Sequence, residues 1–412
     1  MRARHDRLTM PNTGVRASRD DAYVLKAGAS VARASAPVLR AGASVVRAGA
    51  SAVRTGASVV HAVASEWRRF AWAAIAFACA TGAGAQERDR WPIKTREHVD
   101  LWLHGFAFVA PDSSPVPLYR AGYREEMIVA RNAAAAITDL DANADVLRTA
   151  IRTRPALLGA QFVALEFGTW AELEAALDAF VRADGDPRRA PGNAAQTVAR
   201  LGSVFRARED RDFARRYLAA LRSERERFHH QWWLAETRRR DAALVAVDSL
   251  WRNRFRPALQ AFLSHTQQRD GEIILSTVLE AEGRTVTGGK SGNTVVVGFP
   301  ATRDRAADAI YCLLHELVGP LTTAAVADNV TPAQVRSGEA ERYQSLALVR
   351  GGALLAARLG ADVADGYMRF YLRATGHGVE GNVAAAFAAA FPLPDAMVSS
   401  IERQVAVAFS GI

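Results

Sequence analysis

"YCLLHELVGPL", residues 311–321, sets a histidine and a glutamate side by side inside an apolar run. Read from Asp304 onward, the run places Ile310, Leu313, Leu314, Leu317 and Leu321 at the i, i+3, i+4, i+7 spacing of one apolar helical stripe. At about 100° per residue, the opposite face carries Asp308, Tyr311, Cys312, His315, Gly319 and Thr322. A carboxylate in such a setting needs a partner, because burying it unpaired is costly. In a purely structural reading, Arg350 supplies the cation for Glu316, and His315 bonds a neighbour such as Tyr311 or a backbone group.

Upstream of this helix the period changes. "EIILSTVLEAEG" and "NTVVVGF" are rich in β-branched residues and flank the turn-forming "GGKSGN", which predicts a pair of strands with "NTVVVGF" as an edge strand able to accept an extended segment. Gly289-Lys290-Ser291 resembles the end of a phosphate-binding loop, but Arg284 stands where that loop requires glycine, and a strand follows where it requires a helix. A nucleotide site is therefore excluded. Downstream, "TPAQ" at 331–334 is a capping box with proline at the first helical position, and "EAERYQSLALVRGGALLAARL" at 339–359 predicts a second long helix.

Strand pair, His-Glu helix and second helix in that order resemble the gluzincin type of zinc metallopeptidase, over roughly residues 270–375. The resemblance implies a motif HExxH, in which two histidines one turn apart hold zinc and the intervening glutamate activates a metal-bound water. His315 matches the first ligand, Glu316 the general base and Pro320 a proline that follows the motif in some secreted bacterial families; Gly319 replaces the second ligand. For the third, family spacing points to Glu339, with Glu341 close behind. An alignment on "SLALVRGG" instead sets Leu346 there. Catalytic zinc sites keep three protein ligands, so at least one is missing. Asp308 and Cys312 share the helical face of His315 and are the local donors that remain, while His104, His229, His230, His265 and His377 would have to reach in from elsewhere. For each of these the ordinary reading is a packed, capped or exposed side chain.

Residues 97–265 read as helical. "TWAE" at 169–172 caps a helix with Leu173, Leu177 and Phe180 on one face, and residues 183–192 punctuate the chain. Basic and acidic residues alternate from about 206 to 240, the pattern of a solvated helix face, and such mixed charge does not support nucleic-acid binding.

The chain carries a formal charge of +9, but residues 1–85 hold 12 basic and 4 acidic side chains, leaving 40 and 39 in the remainder. The basic excess thus belongs to the N-terminal stretch. There, Lys26, Arg33, Arg40, Arg47, Arg54 and His61 recur every seven residues, yet the repeats contain glycine and lack a large apolar seam, so they read as low-complexity sequence or translated upstream DNA from a misplaced start. Arg68-Arg69, the apolar run 70–80 and Ala83-Gly84-Ala85 form a secretory signal, too short to span a bilayer, which needs roughly 20 residues. Cleavage removes Cys79 and leaves Cys312 without a disulfide partner.

The expected protein is α+β and predominantly helical, with a small sheet beside a zincin-like helix pair. Its expected segments are a repeat extension (1–66), a signal (67–85), a helical region (86–265) and a zincin-like region (266–412). The expected function is non-catalytic peptide or protein binding in an exported, periplasmic or extracellular setting, with no cofactor, no nucleic acid and no membrane span after cleavage. An active zinc peptidase with an altered metal shell is the alternative, and a helical interaction protein without zincin ancestry is the third reading.

Overall fold

The computed structural model describes residues 90–411 except 112–114 and 290–291. The repeat extension and the signal of the sequence reading lie outside the described residues. What is described is predominantly helical with one four-stranded sheet.

The sheet is built from β1 (Ile93–Lys94), β2 (Gly271–Ser276), β3 (Arg284–Gly289) and β4 (Gly292–Gly298), in spatial order β1-β2-β4-β3. β1 and β2 are parallel, as are β2 and β4, with Ile273 opposite Val295; β3 folds back antiparallel on β4, with Thr285 also opposite Val295. Sequence reasoning correctly located β2 and β4 but missed β1 and β3. It also treated "NTVVVGF" as an edge strand, and the structure corrects this: β4 is interior, and β3 forms the edge.

Alternation along β2 and β4 divides the molecule into two cores. Ile273, Leu275, Val295 and Val297 point to one face, whereas Ile274 and Val296 point to the other. Against the second face pack the helices of residues 97–228: α1 (Glu97–Val109), α2 (Tyr123–Ala133), α3 (Asp139–Thr153), α4 (Trp170–Arg182), α5 (Ala195–Val204) and α6 (Arg208–Glu224). α1 is buried continuously from His98 to Val109, as a helix at the centre of a layer must be. Thr169 caps α4 as expected, its hydroxyl accepting from the Glu172 amide at 3.2 Å.

A π-turn at Arg225–His229 joins α6 to α7 (His230–Arg239), and α8 (Asp241–Leu250) follows. From α8 and α9 (Gln260–His265) onward the helices belong to the other core, which Trp91 also enters. Residues 241–265 therefore pack with the C-terminal region, although the sequence grouped them with the helices before them.

The remaining helices cover the first face: α10 (Ala306–Leu317), α11 (Gly319–Asn329), α12 (Pro332–Ser337), α13 (Glu339–Leu359), α14 (Ala361–Ala374), α15 (Val383–Ala390) and α16 (Asp395–Ser410). The helix expected through Leu321 instead ends at Leu317. Val318 breaks it, Pro320 stands in the first turn of α11, and the two axes bend by 44°. α13 lies along both α10 and α11. Its approach to α11 depends on Gly351, where a Cβ would stand 2.6 Å from Thr322 Cγ2. Thr331 and Gln334 form the expected capping box at α12.

Candidate functional site

His315 and Glu316 occupy the last turn of α10, facing the β3 edge of the sheet. His315 is 1% exposed, and its ring stacks on Tyr371 with centroids 5.5 Å apart. Its Nδ1 lies 3.1 Å from Glu316 Oε1. The other carboxylate oxygen, Oε2, accepts from the Thr285 hydroxyl on β3 at 3.2 Å. The pair therefore joins α10 to the edge strand through side chains alone.

Two partnerships expected from sequence are not formed. Arg350 does not pair with Glu316; its guanidinium sits over the Phe387 ring at 5.8 Å, and burial lowers its pKa. Tyr311 does not bond His315; its ring meets Tyr367 and Phe370. Among the described residues, the one ion-pair partner within reach of Glu316 is His315.

The remaining candidate ligands disperse. Glu339, in the first turn of α13, accepts from the Tyr343 hydroxyl at 2.6 Å. Leu346 is buried in the apolar core. Cys312 is buried and donates to the Glu280 carbonyl at 3.3 Å; burial pushes its thiol well above the ordinary range, against the thiolate that a metal requires. Asp308 pairs with Arg305 at 2.8 Å. Of the distant histidines, His104 bonds Glu224, His230 pairs with Glu97, His265 bonds the Ala408 carbonyl and His377 lies beside Thr375. Among the described residues, no group of three or more His, Cys, Asp or Glu side chains is placed to hold a metal ion. The residues present do not fit the three-ligand zinc site that the resemblance implies.

Gly319 leaves room where the second imidazole would stand. Among the described residues, and apart from its chain neighbours and its own helix backbone, a Cβ there meets Leu348 Cδ2 alone within 4 Å, at 3.8 Å, and the backbone is not in the left-handed region. Neither crowding nor backbone conformation requires glycine.

Sequence reasoning missed a second polar centre, inside the other core. His104 on α1 lies 2.9 Å from the Tyr123 hydroxyl and 3.0 Å from Glu224 Oε1, while Arg131 and Thr138 hold the other oxygen of Glu224. Burial disfavours the Glu224 anion, but His104, Arg131 and Thr138 outweigh it and lower the pKa. His229, at the end of the π-turn, has its ring tilted against that of His104 with centroids 5.1 Å apart, is fully buried, and among the described residues has no hydrogen-bond partner at either ring nitrogen. The available signal is the pair of histidine-bearing apolar segments "WLHGFAFV" and "RFHHQWW", whose local pattern shows helix but not that they meet.

Comparison of the chain with known protein families, with characterised proteins and with solved structures gives no match.

Proposed function

We propose that this chain is an exported, zincin-like protein without catalysis, which binds an extended peptide or protein segment beside the vacated metal position. The observation that carries the reading is the open edge of β3 next to Glu316. β3 pairs with β4 on one side, and among the described residues no backbone hydrogen bond joins it to any other segment. Arg284 and Thr287 are exposed along it. An unpaired strand edge can accept a segment by strand addition, with backbone hydrogen bonds giving affinity and alternate side chains giving selectivity. Thr285 fixes this edge to the His-Glu turn, so a bound segment would run past the pair. The order of strands, His-Glu helix and α13 supports the zincin analogy, which is an analogy of arrangement and motif only.

The site chemistry favours binding over hydrolysis. Glu316 has no metal-bound water to activate when the second ligand is glycine and, among the described residues, no third donor stands near. The test is hydrogen exchange on the chain with and without denatured casein as a generic extended polypeptide. Slowed exchange at Arg284–Thr287 is expected, with the casein recovered uncleaved. Protection confined to other segments contradicts strand addition, and zinc-dependent cleavage supports the peptidase alternative.

A further inference from the structure

The turn between α6 and α7 carries a side chain that its surroundings leave unserved. His229 closes the π-turn Arg225–His229, is fully buried, and among the described residues bonds through neither ring nitrogen. A neutral imidazole holds one N–H and a protonated ring holds two, so a proton added here brings a charge and a second donor into a site that offers no acceptor. The charged groups that face it are basic: His104 from α1, Arg225 from the turn and His230 from α7. Carboxylates on the neighbouring helices have other partners. Glu224 of α6 is held by His104, Arg131 and Thr138, Glu97 of α1 by Arg225 at 3.1 Å and His230 at 3.0 Å, and Asp100 of α1 by Trp233 at 2.8 Å and the Thr277 hydroxyl at 3.0 Å. From α2, the Tyr123 hydroxyl reaches His104 instead of His229. Burial and the basic neighbours together hold the pKa of His229 well below its ordinary 6.5.

The element that follows is loosely held. Of α7, Glu236 alone is buried, whereas α6 buries Phe213, Tyr217, Leu218 and Leu221. α7 rests on the core through the half-buried Trp232, whose ring meets Phe228, His229 and Tyr123 at 6.3, 5.7 and 6.4 Å, and through the bonds of Trp233 to Asp100 and His230 to Glu97. Its far end is fixed by the buried Arg240, which bonds Glu236 and the Phe299 carbonyl. A segment with so little buried apolar surface opens at lower cost than the core around it. π-turns of this kind recur at functional sites in helices.

We propose that this turn is an acid-operated latch: a proton on His229 frees the turn and the first half of α7 from α1 and α2, hinged at Arg240, while α6 and the core beneath stay folded. In the opened segment the imidazole is hydrated and titrates near about 6.5, so protons favour opening below that pH and leave the closed form undisturbed above it. The ratio of opened to closed chains therefore rises by up to about tenfold for each pH unit below that value, until the depressed pKa is reached. His104 and His230 do not act this way, because each faces a carboxylate, Glu224 and Glu97, with which its proton forms an ion pair.

The test is amide hydrogen exchange of the full chain at about pH 7.5 and 5.5, corrected for the intrinsic pH dependence of exchange. Protection over residues 226–236 should fall by about tenfold between the two, with protection over 213–221 unchanged. A fall shared equally by 213–221 marks global unfolding and overturns the latch, as does unchanged protection over 226–236. In His229→Gln, which takes no proton, the acid-induced loss should disappear, and in His230→Gln it should persist. Loss undiminished in His229→Gln, or abolished in His230→Gln, overturns the assignment to His229. The comparison of α6 with the turn uses the parent chain alone and holds even where a variant fails to fold.

Discussion

Glu316 is the residue whose replacement most clearly separates a structural role from a chemical one. Its side chain is 10% exposed, and its two oxygens meet His315 Nδ1 and the Thr285 hydroxyl. Glu316→Gln keeps the length of the side chain and an oxygen for His315, while the Thr285 hydroxyl can turn to accept from the new amide. Its cost should stay near or below about 1 kcal/mol, the net worth of one neutral hydrogen bond. Glu316→Leu leaves the buried Nδ1 of His315 without its acceptor and frees Thr285, which should cost about 1–3 kcal/mol. Urea unfolding followed by tryptophan fluorescence measures both, with equal slopes confirming that the denatured states are comparable. A leucine variant as stable as the parent, or a glutamine variant costing as much as leucine, refutes the hydrogen-bonded tether. In the same preparations, peptide cleavage by the parent that disappears in Glu316→Gln contradicts the non-catalytic reading.

Gly319→Ala should stabilise the chain by about 0.4–1 kcal/mol through the unfolded state, because the site has space and an ordinary backbone; a fall in thermal midpoint contradicts this. Gly352→Ala is the contrasting case: its Cβ would overlap the buried Tyr367 hydroxyl, which donates to the Val349 carbonyl, so a loss of about 1–3 kcal/mol in denaturant unfolding is expected. His229 carries the pH prediction. Burial first, then the charges of His104, Arg225 and His230, hold its pKa well below the ordinary 6.5. The unfolded chain thus takes up a proton near pH 6.5 that the folded chain refuses, so this group's contribution is intact above that pH and is lost as pH falls below it, at up to about 1.4 kcal/mol per unit. His229→Leu should flatten that part of the stability profile between pH 6.5 and the depressed value, and parallel profiles for parent and variant would refute the assignment.

Much of the architecture was legible from local pattern. The α10 stripe, the Thr169 N-cap, the capping box at Thr331, and the β-branched runs of β2 and β4 each follow from short-range chemistry. Less legible was anything set by contacts distant in sequence. β1 is two residues long and exists because Ile93 finds Ile273, which no local propensity announces. β3, "RTVTGG", has a β-branched run of Thr-Val-Thr cut short by two glycines, and its pairing is set by β4. Val295 and Val296 point to different cores, so one apolar run gives no indication that two helical layers meet across it. At the site, the adjacency of His315 and Glu316 was plain. Their partners were not: Thr285 and Tyr371 lie 31 and 56 positions from them, and Arg350 was turned by its helix toward Phe387.

The most direct test of the account is elemental analysis of the chain purified without chelator, paired with a peptide-hydrolysis assay on the same sample. One imidazole beside a glycine, with no third donor near it among the described residues, predicts zinc far below one equivalent and no cleavage. A stoichiometric zinc ion that resists dialysis, together with hydrolysis that disappears when the metal is removed, would contradict it.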